Sequence, residues 1–169
     1  MTIYKDLIDI RDVISRFEVL EREADELLTR VSDAKADLSA LPEGADSYEI
    51  IPGVTNTRVS LEAALKRAEA NFEKWRNETG DEFASLQDIL ERLKNDGGDE
   101  QWRGDWYPLT LVSDDYFTEY AKELTIECEY VPRDLPAWIK IDWEETAKDV
   151  MVDYTPIKLN GRDYYYRAG

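Results

Sequence analysis

The sequence predicts a mainly helical α+β protein, in which a hairpin of long helices and a third helix precede a small, aromatic-rich α+β domain. Three observations predict this fold. Apolar residues recur at alternating steps of four and three through the first half of the chain, which is typical of coiled-coil helices. Tyrosines and tryptophans are concentrated after residue 105. An Asn-Gly dipeptide near the end favours a β-hairpin turn. We expect a helical region over 1–95, a linker over 96–105 and the α+β domain over 106–169.

The first long helix is predicted from Ile3 to Leu41, where a proline and a glycine end it. Its apolar residues follow two neighbouring lines, which form a stripe wider than a two-stranded coiled-coil seam. They are Ile3, Leu7, Ile10, Ile14, Phe17, Ala24, Leu28, Val31 and Leu38, and beside them Val13, Leu20, Leu27, Ala34 and Leu41. Glu21 and Lys35 lie on the seam itself. We therefore expect this helix to pack against more than one partner.

Two more helices are predicted after a long connection. The segment 43–58 contains a proline and glycines and is expected to form a long connection or arm. The coiled-coil spacing resumes at Val59, which predicts a second helix lying antiparallel to the first as a helical hairpin. Gly80 is expected to end this helix, and Asp81 to cap a third, shorter one that stops near Asn95.

The C-terminal domain is predicted to contain a strand over 107–112, helices over 114–128 and 142–153, and a hairpin over 157–167 that turns at Asn160 and the glycine after it. The expected helix caps are Ser113 for the first helix, and Asp142 with Glu145 for the second. The side chains expected to face the core are Phe117, Tyr120, Ala121, Leu124 and Cys128, and then Trp143, Ala147, Val150 and Met151. Strand alternation places Tyr164 and Tyr166 on one face of the hairpin and Tyr165 on the other.

The composition excludes several classes of function. The chain has 38 Asp and Glu against 21 Lys and Arg, a net charge of -17, so it is not expected to bind nucleic acid directly. It has no histidine, which removes the commonest general base and metal ligand. We expect no catalysis, no metal and no cofactor. The single cysteine, Cys128, allows no intramolecular disulfide and favours a reducing cytoplasm. No apolar run approaches the roughly 20 residues of a membrane span.

Carboxylates recur at every fourth residue on both C-terminal helices. The two rows are Asp115, Glu119, Glu123 and Glu127, and then Asp142, Glu145, Asp149 and Asp153. A rise of about 1.5 Å per residue spaces such side chains about 6 Å apart, close to the spacing of phosphates along a nucleic-acid strand. The rows can therefore imitate a nucleic-acid backbone. A solvated face on an acidic protein is the alternative interpretation.

Several short runs in the last third of the chain resemble a known family. They are Tyr116 to Leu124, Val131-Pro132, Ile141 to Glu144, Ala147 to Val150 and the closing aromatic strand. Over about residues 105–169 the chain is similar to the C-terminal domain of ArdA-type antirestriction proteins. Members of that family are acidic proteins of phages and mobile elements that resemble bent B-form DNA. They block the DNA-binding groove of type I restriction-modification enzymes, usually as dimers. The resemblance implies that the eight carboxylates of the two rows are phosphate mimics.

Two hypotheses follow for the function. The first is a phage or mobile-element anti-defence protein, a DNA mimic that blocks the nucleic-acid-binding groove of a host restriction-modification or CRISPR complex in the host cytoplasm. Its expected partner is that defence complex, with no membrane contact, and it is expected to be a homodimer. The second is a non-catalytic phage structural, assembly or interaction protein, which oligomerises through its helical hairpin.

Overall fold

The computed structural model describes residues 5–42, 45–51, 54–132, 134–136, 138–159 and 161–169. The elements follow in the order β1 (Leu7–Asp9), α1 (Ile10–Ser39), β2 (Ser47–Ile51), β3 (Val54–Thr57), α2 (Arg58–Leu93), β4 (Glu100–Trp102), β5 (Asp105–Tyr107), β6 (Thr110–Ser113), a 3-10 turn (Asp114–Tyr116), α3 (Phe117–Glu127), α4 (Trp143–Met151), β7 (Thr155–Leu159) and β8 (Arg162–Tyr166). This confirms the predicted α+β class, with two long N-terminal helices and a C-terminal β-hairpin. Ile3 and Asn160 lie outside the described residues.

The chain forms two compact units. One contains residues 17–84, and the other combines 1–16 with 85–169. Both long helices contribute residues to both units, so the division differs from the boundary predicted at 96–105. The predicted linker also contains regular structure, because β4 and β5 pair as an antiparallel hairpin. Its turn holds Arg103 and Gly104 at positive φ, the conformation that tight hairpin turns need.

The unit 17–84 is an antiparallel pair of helices, as predicted. Phe17 near the start of α1 stacks on Phe83 near the end of α2, with ring centroids 5.1 Å apart. Further along α1, Glu23 accepts a hydrogen bond of 3.2 Å from the indole of Trp75. Lys35 lies 3.5 Å from Glu69. As the residue numbers of these contacts increase along α1, those of their partners in α2 decrease, so the two helices are antiparallel.

The apolar stripe of α1 is buried unevenly in this unit. Phe17, Leu20 and Ala24 are buried, whereas Leu28 is 48% exposed. The burial of the seam therefore decreases along α1 from Phe17 to Leu28. The seam residue Lys35 is balanced within the chain by Glu69.

The prediction of a separate third helix is wrong, because α2 continues without a break through Gly80 and Asp81. The apolar line of the second helix runs on in phase beyond Gly80, through Phe83 and Leu86. Trp75 and Phe83 meet edge to face, with centroids 5.9 Å apart. A glycine costs a helix only about 1 kcal/mol relative to alanine, so continuous packing outweighs it.

The segment predicted as a long connection or arm does connect α1 to α2, but it contains regular structure that the sequence did not predict, because β2 and β3 pair as an antiparallel hairpin. Ser47 lies opposite Thr57, and the register shifts between Glu49 and Ile51. Short β-strands with an irregular register give little periodic signal in the sequence. The sequence pattern therefore did not indicate the two strands of this hairpin.

The other unit is built on a four-stranded antiparallel sheet with the order β1-β6-β8-β7. The prediction that the first helix begins at Ile3 is wrong, because Leu7–Asp9 form β1 and pair with β6. α1 begins at Ile10, where the backbone N–H donates to the carbonyl of Leu109 at 3.0 Å. The strand partner lies about one hundred residues away, so no local pattern could reveal it.

The sheet buries side chains on both of its faces. On one face, Val112 and Tyr165 lie opposite each other in β6 and β8, and Tyr165 packs edge to face on Phe117 of α3 at 5.4 Å. Ala121 and Ala147 complete the buried centre of this layer. On the other face, Tyr164 and Tyr166 are buried. The predicted alternation of the three tyrosines is therefore confirmed.

The second face of the sheet is covered by apolar residues from the same unit. These buried residues come from the start of α1 and the end of α2 and are Ile10, Val13, Ile14, Leu86, Ile89, Leu90 and Leu93. The hydroxyl of Tyr166 donates to Asp96, just past the end of α2. Arg92 donates to the carbonyl of Lys158 in β7 at 3.4 Å. The sheet thus lies between two helical layers.

We expect Gly80→Ala to stabilise the protein by about 0.5–1 kcal/mol, because Gly80 lies inside a continuous helix. An added Cβ would lie 3.4 Å from the flexible Cγ of Arg76. Gly98→Ala is the matched control. Gly98 has a φ of +98° and its Cβ would meet the carbonyl oxygen of Tyr107, so it should destabilise. Urea unfolding followed by circular dichroism measures both, and a loss of stability in Gly80→Ala would contradict the continuous helix.

We expect Tyr166 to make the free energy of unfolding depend on pH in the alkaline range. Burial and the hydrogen bond that it donates to Asp96 raise the pKa of Tyr166 to about 12. The folded state therefore favours the neutral phenol, whose contribution is complete below pH about 10 and is lost as the pH rises toward 12. Tyr166→Phe should flatten this alkaline decline in urea titrations between pH 9 and 11. An unchanged slope in the variant would refute this assignment.

Candidate functional site

The first acidic row lies on the outer side of α3. Glu119, Glu123 and Glu127 follow one another at steps of four within this helix. Asp115 does not belong to the same helix, because it lies in the preceding 3-10 turn. The predicted row of four on one helix is therefore a row of three, with a fourth carboxylate beside its start. α3 is oriented by Phe117 and Ala121, which are buried against the sheet and α4.

The second acidic row is divided among three positions. Asp142 is the N-cap of α4, as predicted, and its side chain accepts a hydrogen bond of 3.0 Å from the backbone N–H of Glu145. Glu145 and Asp149 lie within the helix. Asp153 lies two residues past its end, so this row also is shorter than predicted. Ala147, with the partly buried Val150 and Met151, holds α4 against α3 and the sheet.

Besides Asp142, four of the predicted phosphate mimics have partners within the chain. Asp115 lies 3.2 Å from Arg162. Lys122 and Lys148, each three residues along the helix, lie 2.8 Å from Glu119 and 2.9 Å from Glu145. Glu123 accepts a hydrogen bond of 3.0 Å from the hydroxyl of Tyr116. This contact raises the pKa of Tyr116, and the hydrogen bond to Glu145 raises that of Lys148.

Glu127, Asp149 and Asp153 have no ion pair within the described parts of the chain. All three are exposed to solvent. The segment 114–153 as a whole carries 12 Asp and Glu against 4 Lys and Arg. The local ion pairs therefore offset only part of the charge, and a strongly negative surface remains on and around α3 and α4.

Asp115 has a structural partner that the sequence did not reveal. One nitrogen of Arg162 in β8 donates to Asp6 at 3.0 Å, to the hydroxyl of Ser113 at 3.2 Å and to Asp115 at 3.2 Å. Ser113 occupies the predicted N-cap position, at the start of the 3-10 turn, but it is buried and its side chain makes no capping hydrogen bond. The Arg162 side chain links the residue before β1, the end of β6 and the turn before α3.

The connection between α3 and α4 exposes large apolar side chains. Trp138 is 80% exposed and Tyr130 is 78% exposed. Ile139 is also exposed. Cys128 is exposed as well, which contradicts the prediction of a buried thiol, because α3 ends at Glu127 and the chain leaves the helix there. The two prolines of this segment indicated a break in the chain, but nothing in the sequence indicated which side chains would face water.

The surface between the starts of α3 and α4 is a shallow groove of mixed charge, and its lining includes Glu119, Lys122, Lys140 and Asp142. Among the described residues, no group of three His, Cys, Asp or Glu side chains is arranged to hold a metal ion. In the same part of the chain, no helix combines the length and apolar character needed to cross a membrane.

Comparison of the chain with protein-family models, curated proteins and solved structures finds no match. The site is therefore interpreted from its own geometry.

We expect Asp142→Ala to destabilise the protein by about 1 kcal/mol, because it removes the N-cap of α4. Asp149→Ala is the matched control. It removes the same charge from the interior of the same helix, where the side chain has no ion pair with any residue that the structure describes, and should change stability by no more than about 0.5 kcal/mol. Urea unfolding of both variants tests this. Equal losses would show that Asp142 contributes only charge.

Proposed function

We propose that the protein is a non-catalytic anti-defence protein of a phage or mobile element, which mimics nucleic acid. It binds the basic nucleic-acid-binding groove of a host restriction-modification or CRISPR complex in the host cytoplasm and so excludes the nucleic acid. The observation that carries this proposal is the acidic surface of α3 and α4, where 12 acidic and 4 basic residues lie within 114–153.

The spacing of the row on α3 supports the proposal. Glu119, Glu123 and Glu127 are about 6 Å apart along the helix axis, which suits lysine and arginine side chains placed to contact successive phosphates. The helix is held by its buried side against the sheet and α4. A rigid support keeps the carboxylates in position before binding, which lowers the entropic cost of association.

The internal ion pairs are compatible with binding. The pairs of Glu119 with Lys122 and of Glu145 with Lys148 are exposed, and exposed ion pairs contribute little to stability. The carboxylates can therefore exchange these lysines for basic groups of a partner. Asp115 is shared with the Arg162 cluster, so we assign it a structural role in addition to any contact with a partner.

The alternative function is a structural or assembly protein that oligomerises through the helical pair. The exposed Leu28 on the seam of α1 favours it. In that case Leu28→Asp should abolish function and self-association, while changes in the acidic rows should have little effect. The helical pair satisfies the seam residue Lys35 within one chain, so this residue no longer requires a second chain. For this reason we prefer the mimicry proposal.

The test is competition for DNA by a purified type I restriction-modification enzyme, with a purified CRISPR effector complex as the second target. The variant Glu119→Gln/Glu123→Gln/Glu127→Gln keeps the side-chain shape and removes three charges. It should weaken inhibition about tenfold or more, because three charge contacts are lost together. Inhibition by the unchanged protein should fall steeply with salt.

The control variant is Glu62→Gln/Glu73→Gln/Glu78→Gln on α2, which changes the net charge by the same amount. Its inhibition should stay within about twofold of that of the unchanged protein. Equal effects of the two triple variants would show that only overall acidity matters. No inhibition of either target by the unchanged protein would reject the proposed function.

A further inference from the structure

The described part of the segment that joins α3 to α4 exposes large apolar side chains. Trp138 and Tyr130 are each more than three quarters exposed, and Ile139 is exposed beside Trp138. Tryptophan and tyrosine side chains that face water in a folded protein are typical of contact surfaces, where they become the anchors of an interface. We call the described residues of this segment, 128–132, 134–136 and 138–142, the aromatic loop.

Short-range backbone hydrogen bonds shape the aromatic loop. The N–H groups of Tyr130 and Val131 both donate to the carbonyl of Thr125, at 3.0 and 3.2 Å, and the N–H of Ile139 donates to the carbonyl of Pro136 at 2.9 Å. Tyr130 is thus fixed to the last turn of α3, and Trp138 lies within a turn. A side chain presented by a turn loses less conformational freedom on binding than one in an unstructured segment.

The charge around the loop decides which kind of partner it fits. Glu127, Glu129, Asp134 and Asp142 flank or lie within the loop and are all exposed, and Lys140 is the one exposed basic residue among the described residues there. The charge of this region is therefore net negative. Exposed aromatics can stack on nucleic-acid bases, but these carboxylates repel phosphates. Anionic lipid surfaces are repelled in the same way. A protein surface that is positively charged and contains an apolar pocket satisfies both the charges and the aromatic side chains.

We infer that the aromatic loop is a second contact element for a positively charged protein partner, with Trp138 and Tyr130 as its anchors. This inference rests on the proposed function and deepens it, because it places an apolar pocket next to the partner's nucleic-acid-binding groove. The carboxylate rows then supply attraction that depends on salt. The aromatic loop supplies apolar contact that does not depend on salt. This contact distinguishes the partner from other basic proteins.

The test compares Trp138→Ala with Val59→Ala, which changes an apolar side chain on α2 that is 75% exposed. The binding constant of each is measured for a purified type I restriction-modification enzyme and a purified CRISPR effector complex at several salt concentrations. Trp138→Ala should weaken binding about 30-fold or more, as expected for an aromatic anchor. It should leave the slope of the logarithm of the binding constant against the logarithm of salt unchanged. Val59→Ala should have no effect, and neither variant should alter the melting temperature.

The outcomes separate the two proposals. Binding by Trp138→Ala within about twofold of the unchanged protein, with a steep salt slope in both, overturns the role of the loop and leaves the proposed function intact. If the unchanged protein binds neither target, both proposals are rejected. The aromatic loop could instead contact a second copy of the same chain, and sedimentation of the protein alone tests this. If the protein forms a dimer and Trp138→Ala dissociates it, the loop is a dimer contact and the inference is overturned.

Discussion

The architecture of the larger unit depends on the central strand β8, which packs against both helical layers. Tyr165 contacts Phe117 on the side of α3 and α4. Tyr164 and Tyr166 are buried on the opposite side, where the hydroxyl of Tyr166 donates to Asp96. Strand alternation sends neighbouring side chains to opposite faces, so one short strand fixes the sheet between two layers. The position of the acidic helices follows from this arrangement.

Burial of one side of α3 and α4 explains how a stable fold tolerates two carboxylate rows. Like charges at steps of four weaken a helix. The buried contacts of Phe117, Ala121 and Ala147 hold the helices in place, and the lysines three residues after Glu119 and Glu145 offset part of the repulsion. The carboxylates can remain exposed because the stability of these helices comes from their other side.

The acidic surface and the aromatic loop complement each other physically. Charge attraction acts over about 8–10 Å at ordinary salt and raises the rate of encounter. Charge attraction alone gives similar affinity for many basic proteins and so provides little specificity. Exposed aromatic side chains act only in contact, and they prolong a complex whose partner has a matching pocket. The two surfaces are adjacent in sequence because the loop connects the two acidic helices.

The sequence by itself determined the features that depend on local patterns: the long antiparallel helices, α3 and α4, the Asp142 cap and the closing hairpin. It also indicated the carboxylate rows, although the 3-10 turn at Asp115 and the end of α4 before Asp153 shorten both. Only the tertiary structure decided that Leu7–Asp9 form a strand, because its partner β6 lies about one hundred residues away. It likewise decided that α2 passes through Gly80, where packing of Phe83 outweighs a local helix breaker, and that Trp138 faces water. Periodicity and capping report short-range energetics, whereas strand pairing and burial depend on segments that meet only when the chain folds.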